Sequence, residues 1–123
     1  MRTLSNQQVI VWDHLISRGF DEKIIKEVVP ICVDDTRHRL YPLFTAIRQN
    51  SPDLVELHAH SIRDAAANIG ALNFSDAAAA LEAAAENHNL SEAIKLYDRV
   101  EFELERLALF VSDPNWYDRL KPA

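Results

Sequence analysis

Apolar residues recur along this chain at spacings of three and four with charged residues between them, which is the signature of amphipathic helices. In the longest stripe Ile25, Val29, Cys32, Thr36, Leu40, Leu43 and Ile47 alternate steps of four and three behind Asp21 as the cap, predicting a helix of about 27 residues. Pro30 and Pro42 fall inside it. Each removes a backbone hydrogen bond and crowds the preceding turn, so kinks or a break are expected there, a fresh helix start at Pro30 being the alternative. A second stripe, Val55, Ala59, Ile62, Ala66 and Ile69, lies between Ser51 and Gly70. Ser51 is placed to accept from the first-turn N–H groups, Pro52 suits the first helical position, and Gly70 suits a left-handed C-terminus. Asn73 and Asp76 resemble a capping box opening an alanine-rich helix to about Asn87, with Phe74, Ala77, Ala78, Leu81, Ala84 and Ala85 on its buried side. The last long helix runs from Ser91 to Val111 on Ile94, Tyr97, Val100, Leu104, Leu107 and Val111, with Glu92, Lys95, Glu101 and Glu105 toward water, until Asp113 and Pro114 stop it. Ahead of all these, Ser5 to Ser17 reads as a short helix with Val9, Trp12, Leu15 and Ile16 on one side and Gly19 at its end.

Four long helices joined by short turns predict an all-α fold: an antiparallel, up-down-up-down four-helix bundle with a short leading N-terminal helix. One domain fills residues 1–123, with the bundle over about 20–111 and a tail over 112–123. Trp116 and Tyr117 in that tail are expected to fold back on the bundle, since exposed aromatics would otherwise be costly. Composition agrees: Gly is only 2 of 123 residues, and 48% of the chain is hydrophobic, which suits a helical globular protein.

Charge and residue usage remove several function classes. The net charge is −6 and the cations are scattered among acids, so no basic patch for nucleic acid is expected. No apolar run is long enough for a signal peptide or a membrane span, which predicts a cytoplasmic protein with no membrane contact. Cys32 is the single cysteine; it can form no internal disulfide or cysteine-based zinc site and is expected to be a small buried residue. No nucleophile with an adjacent base and no glycine-rich phosphate loop is present, so the chain is not a self-contained enzyme and no cofactor is expected. Asp34, Asp35, Arg37, His38 and Arg39 read as a solvated face, and His14 and His88 as surface histidines.

One candidate for chemistry remains. His60 stands about 200° around the helix from Ile62, facing solvent with Glu56, Arg63, Asp64 and Ala67 as its helical neighbours. A metal site built from His58 and His60, with Glu56, is disfavoured because residues two apart point to different sides of a helix. The stretch His60 to Ala71, HSIRDAAANIGA, resembles the histidine-containing phosphotransfer (HPt) domains of bacterial phosphorelays. Members carry a phosphoacceptor histidine, an aliphatic residue two positions on, a lysine three on, a glycine four on, small residues, and often an N-[IL]-G-A ending. His60, Ile62, Arg63, Ala65 to Ala67, and Asn68, Ile69, Gly70 and Ala71 fit that pattern. Asp64 stands where the family has glycine.

The resemblance implies that His60 accepts a phosphoryl group from a receiver-domain aspartate and passes it to another, with response-regulator receivers, or a hybrid sensor kinase, as partners to a monomeric carrier. Catalysis would then reside in the receiver, and this chain would supply an exposed nucleophile and a docking surface that draws on the end of the preceding helix. Arg63 keeps the positive charge of the family's lysine and can offer a fork of donors to phosphate oxygens. Ala67 leaves room for approach. Asp64 has two opposed readings: a bulky negative charge that disfavours the phosphoryl group, or a hydrogen-bond partner that holds the ring for attack. The alternative to the carrier is a degenerate HPt-like adaptor that binds a receiver or other protein without being phosphorylated.

Overall fold

The computed structural model describes residues 8–123. Among these residues it contains six helices and no strand: α1 (Trp12–Ser17), α2 (Glu22–Arg48), α3 (Pro52–Asn68), α4 (Leu72–Glu86), α5 (Leu90–Ser112) and α6 (Trp116–Leu120). The four long helices form a bundle in which α3 packs on α2 and α4, and α5 packs on α4 and α2, leaving α3 and α5 diagonal to each other. The expected stripes build the core. Ile25, Val29, Leu43, Val55, Ala59, Ile62, Ala66, Phe74, Leu81, Val100, Leu104 and Leu107 are all buried.

α2 is one continuous helix through both Pro30 and Pro42, capped by Asp21, whose Oδ1 accepts from the Ile24 N–H at 2.9 Å. The break that either proline could have caused does not occur. The Cys32 thiol donates to the Ala65 carbonyl at 3.2 Å and ties this stretch of α2 to α3. Burial pushes that thiol up to about 11, so Cys32 is a packing residue and not a nucleophile.

Several expected helix starts take a different form. Ser51 occupies the N-cap position of α3 but its hydroxyl makes no capping bond. α4 opens at Leu72 behind Ala71, so the Asn73–Asp76 capping box does not form. α5 is capped earlier than expected, by the Asn89 side chain accepting from Glu92 N–H. Ile94 is 60% exposed and Ala93 takes its place in the core. At the N-terminus helix begins only at Trp12, with Val11 as its cap; the expected Ser5 cap lies outside the described residues. Ile10 enters the core while Ile16 stays exposed.

The helix ends share one device. After α2, α3 and α4 a residue with positive φ follows the C-cap: Asn50 at 54°, Gly70 at 72° and His88 at 55°. In each case the next N–H reaches back five residues, Ser51 to Ala46, Ala71 to Ala66 and Asn89 to Ala84, which satisfies carbonyls left open by the last turn. His88 is therefore a strained turn residue as well as an exposed one. Left-handed backbone costs a side-chain-bearing residue roughly 1–2 kcal/mol. Replacing His88 by glycine is expected to stabilise the fold by about 0.5–1 kcal/mol, read as a higher urea midpoint at unchanged slope.

The leading segment and the tail close one end of the bundle. Val11 N–H donates to the Gly70 carbonyl at 2.8 Å. His14 packs on the same turn, half-buried, with its Nε2 atom buried and without a hydrogen-bond partner among the described residues. It is thus a packing residue and not the surface side chain expected. Trp116 and Tyr117 fold back as expected: Tyr117 stacks edge-on against Trp12, and the Lys26 ammonium lies 5.0 Å from its ring centroid.

Candidate functional site

The site forms where α3 and α4 lie closest. Both helices present small residues to each other, Ala59 and Ala66 from α3 and Ala77, Ala78 and Ala85 from α4, all buried. Without long side chains to hold them apart, the backbones approach, and polar groups of one helix reach the other. Ser75, itself buried, donates to the Arg63 carbonyl at 3.1 Å. About two turns further along α4, Glu82 points the same way.

Glu82 is the residue that sequence reasoning missed. It is only 7% exposed, an unusual position for a carboxylate unless it is paired. Its two oxygens divide their partners. Oε1 accepts from Arg63 Nη1 at 2.7 Å, and Oε2 lies 2.8 Å from His60 Nδ1. A signal was present in the chain, since Glu82 follows Ala78 by four and Ser75 by seven, on the inward side of the alanine-rich stripe.

His60 projects at the rim of this contact, with its side chain 47% exposed. Nδ1 faces inward to Glu82, and Nε2 faces outward, where Asp64 Oδ2 stands at 3.1 Å. Arg63 completes the group. Its Nε and Nη2 donate to Asp64 Oδ1 at 3.3 and 3.2 Å, and Nη2 also approaches His60 Nδ1 at 2.9 Å. One ring nitrogen cannot donate to Glu82 and accept from Arg63 together. Because Glu82 can only accept, and Nη2 already has Asp64 as an acceptor, the consistent assignment is an Nδ1–H donated to Glu82.

The outward side has a chemical consequence. A neutral imidazole carries one proton. With that proton on Nδ1, Nε2 bears a lone pair, which a carboxylate oxygen, itself only an acceptor, cannot bond; the 3.1 Å contact with Asp64 is a hydrogen bond only in the doubly protonated ring. In the neutral ring Asp64 stands over that lone pair, which opens to an approaching group when Asp64 turns away. Of the two roles open to Asp64, the geometry therefore gives ring orientation to Glu82 and places Asp64 over the outward nitrogen.

The structure brings together His60, Arg63 and Asp64 as the sequence suggested. Ala67 lies half-buried on the same edge. Glu56 belongs to a neighbouring acidic group: one carboxylate oxygen each of Glu56, Glu82 and Glu86 lie within 4.8 Å of one another. Partial burial, followed by the hydrogen bond and charge of Glu86, raises the Glu56 carboxyl above its ordinary range. Glu82 is already committed to Arg63 and His60, so this group is a source of negative potential beside the site. The expected weak candidate of His58 and His60 with Glu56 does not come together as a three-ligand group among the described residues.

No helix of the described residues is long and apolar enough to cross a membrane. Neither a curated protein nor a solved structure matches the chain. The family profile described as Hpt domain matches residues 27–109, about two-thirds of the sequence, and spans His60, Arg63, Asp64 and Glu82. With an all-helical bundle and a match of that extent, the chain belongs to the Hpt domain family, whose members are phosphocarrier modules of phosphotransfer signalling.

Proposed function

We propose that this protein is a phosphorelay carrier that takes a phosphoryl group from a receiver-domain aspartate onto Nε2 of His60 and returns it to another receiver. The observation that carries this reading is the polarity of the His60 ring, with Nδ1 held by a buried carboxylate and Nε2 on the exposed side, where Asp64 stands over it. In the transfer, the Nε2 lone pair attacks phosphorus, the P–N bond forms as the P–O bond to the aspartate breaks, and the aspartate leaves as its carboxylate. Positive charge develops on the ring, and Glu82, accepting the Nδ1–H, stabilises it. Arg63, a turn from His60, supplies a cation beside the phosphoryl oxygens.

The surface around the site suits a protein partner. Leu57, one turn before His60, is 57% exposed, and Ile31 is 69% exposed on the stretch of α2 tied to α3 through Cys32 and Ala65. An apolar side chain standing in water one turn from His60, with another exposed on the neighbouring helix, favours a docked domain over a small-molecule donor.

Asp64 Oδ2 at the outward nitrogen supports a second reading, an adaptor that binds a receiver and takes no phosphate. Asp64→Gly separates the two. Two unit charges about 4 Å apart interact by roughly 1–4 kcal/mol at a partly exposed site, and the exposure of Asp64 favours the low end. Phosphoryl transfer from a panel of phosphorylated receivers should be measurable in the wild type and about five- to tenfold faster in Asp64→Gly. Label in the variant alone would establish the adaptor reading for the natural chain. Absence of label in both, from every receiver, would contradict the carrier reading.

A further inference from the structure

The edge of the bundle opposite His60 carries a second surface. Along the seam between α2 and α5 two open grooves run end to end, with Glu101 lining both. Their floor is apolar: Phe44 of α2 meets Tyr97 of α5 across the seam with ring centroids 5.5 Å apart. Apolar residues also stand out from it into water, Ile94 at one end and Leu109, 75% exposed, at the other.

The two walls carry opposite charge. On the α2 side the charged groove residues are Arg48 and Arg37; on the α5 side they are Asp98, Glu101 and Glu105. Arg48 shares one groove with Asp98, and Arg37 shares the other with Glu105, so cation and anion lie at matching heights. Yet none of these cations forms an ion pair with the opposite wall among the described residues; Arg48 instead lies over the Phe44 ring at 5.7 Å.

We propose that a second copy of this chain covers the α2/α5 face, related by a two-fold axis parallel to the helices. Rotation about such an axis sets α2 of each copy on α5 of the other at the same height. Arg48 then meets Asp98 of the second copy, Arg37 meets Glu105, and the exposed apolar residues close over one another. A two-fold axis across the helices would instead set α2 on α2, cation on cation. Charge therefore selects one pairing. The arrangement differs from the monomer expected from sequence, and because the α3/α4 edge lies across the bundle, both His60 sites stay free for receivers.

Sedimentation analysis of the wild type, Arg48→Glu, Asp98→Arg and an equimolar mixture of the two variants tests this. Both changes are at the surface, and circular dichroism checks that each variant folds. The expected result is a wild-type dimer that weakens with salt. Each variant alone, with both symmetry-related pairs turned repulsive, should bind itself at least about tenfold more weakly. The mixture should regain dimer, because the glutamate introduced in one variant then faces the arginine introduced in the other at one contact, and the natural Arg48–Asp98 pair forms at the second. A wild type that stays monomeric at millimolar concentration, a dimer that survives either single change, or a mixture that fails to recover would each overturn the proposal. The first of these would leave the face to a different protein.

Discussion

Replacing His60 by glutamine is expected to abolish phosphoryl acceptance while leaving the fold intact. The two halves of this expectation have separate causes. Glutamine keeps a polar side chain that can donate to Glu82, but an amide has no basic nitrogen lone pair with which to attack phosphorus. His60 points away from the buried Val55, Ala59, Ile62 and Ala66, so the core of α3 is untouched and stability should stay within about 0.5 kcal/mol. The chain has 5 histidines, which makes the comparison with His58→Gln and His88→Gln informative. His88 lies in the turn after α4, and His58 faces away from the Glu82 contact two residues before the site. Acid-labile, base-stable label should persist in both of those variants and vanish in His60→Gln. Persistence of label in His60→Gln would place the acceptor elsewhere.

The largest stability effect outside the core is expected at Gly70. Its φ of 72° costs any side-chain-bearing residue roughly 1–2 kcal/mol. A Cβ there would also stand 3.0 Å from the Val11 carbonyl oxygen and 3.3 Å from His14 Cβ. Backbone oxygen cannot move aside freely, because Val11 N–H is bonded to the Gly70 carbonyl at 2.8 Å and its own carbonyl accepts from His14 N–H. Gly70→Ala should therefore cost about 2–4 kcal/mol, the conformational part plus the close contact. Gly19 provides the control. It too has positive φ, 81°, but a Cβ built on it meets nothing within 4 Å. Gly19→Ala should show the conformational cost alone, and equal urea-denaturation losses for the two variants would show that the α1 contact contributes nothing.

Periodicity carried most of the fold because burial in a helical bundle is decided by position around each axis. The stripes through Val29, Ile62, Leu81 and Leu104 are legible for that reason. Helix starts were less legible. Whether Ser51 or Asn73 caps depends on the direction from which the chain enters. In both turns that direction is set by a positive-φ residue and a backbone bond from the next N–H, which close the preceding helix and leave neither side chain capping the first turn of the next. Ile94 was misplaced because the stripe of α5 begins one residue earlier, at Ala93, and alanine is a weaker signal than isoleucine.

The site divides along the same line. His60, Arg63 and Asp64 share one helix, where spacing fixes neighbourhood, and the sequence motif named them together. Glu82 lies on another helix, and only the close α3/α4 approach allowed by alanine brings it within 2.8 Å of the ring. A glutamate in a helix ordinarily belongs to water, so its burial becomes visible only once the partner helix is in place. That residue also changes the meaning of Asp64, because orientation of the ring no longer needs it.

We propose that phosphoryl transfer takes place on the outward nitrogen of His60 while the inward one stays bonded to Glu82. Nitrogen-15 NMR of the histidine rings, recorded before and after phosphorylation by a receiver, tests it most directly. The expected result is a phosphoryl group on Nε2 of His60, with Nδ1 still protonated and hydrogen-bonded. A phosphoryl group on Nδ1 of His60, or on any other residue, would contradict it.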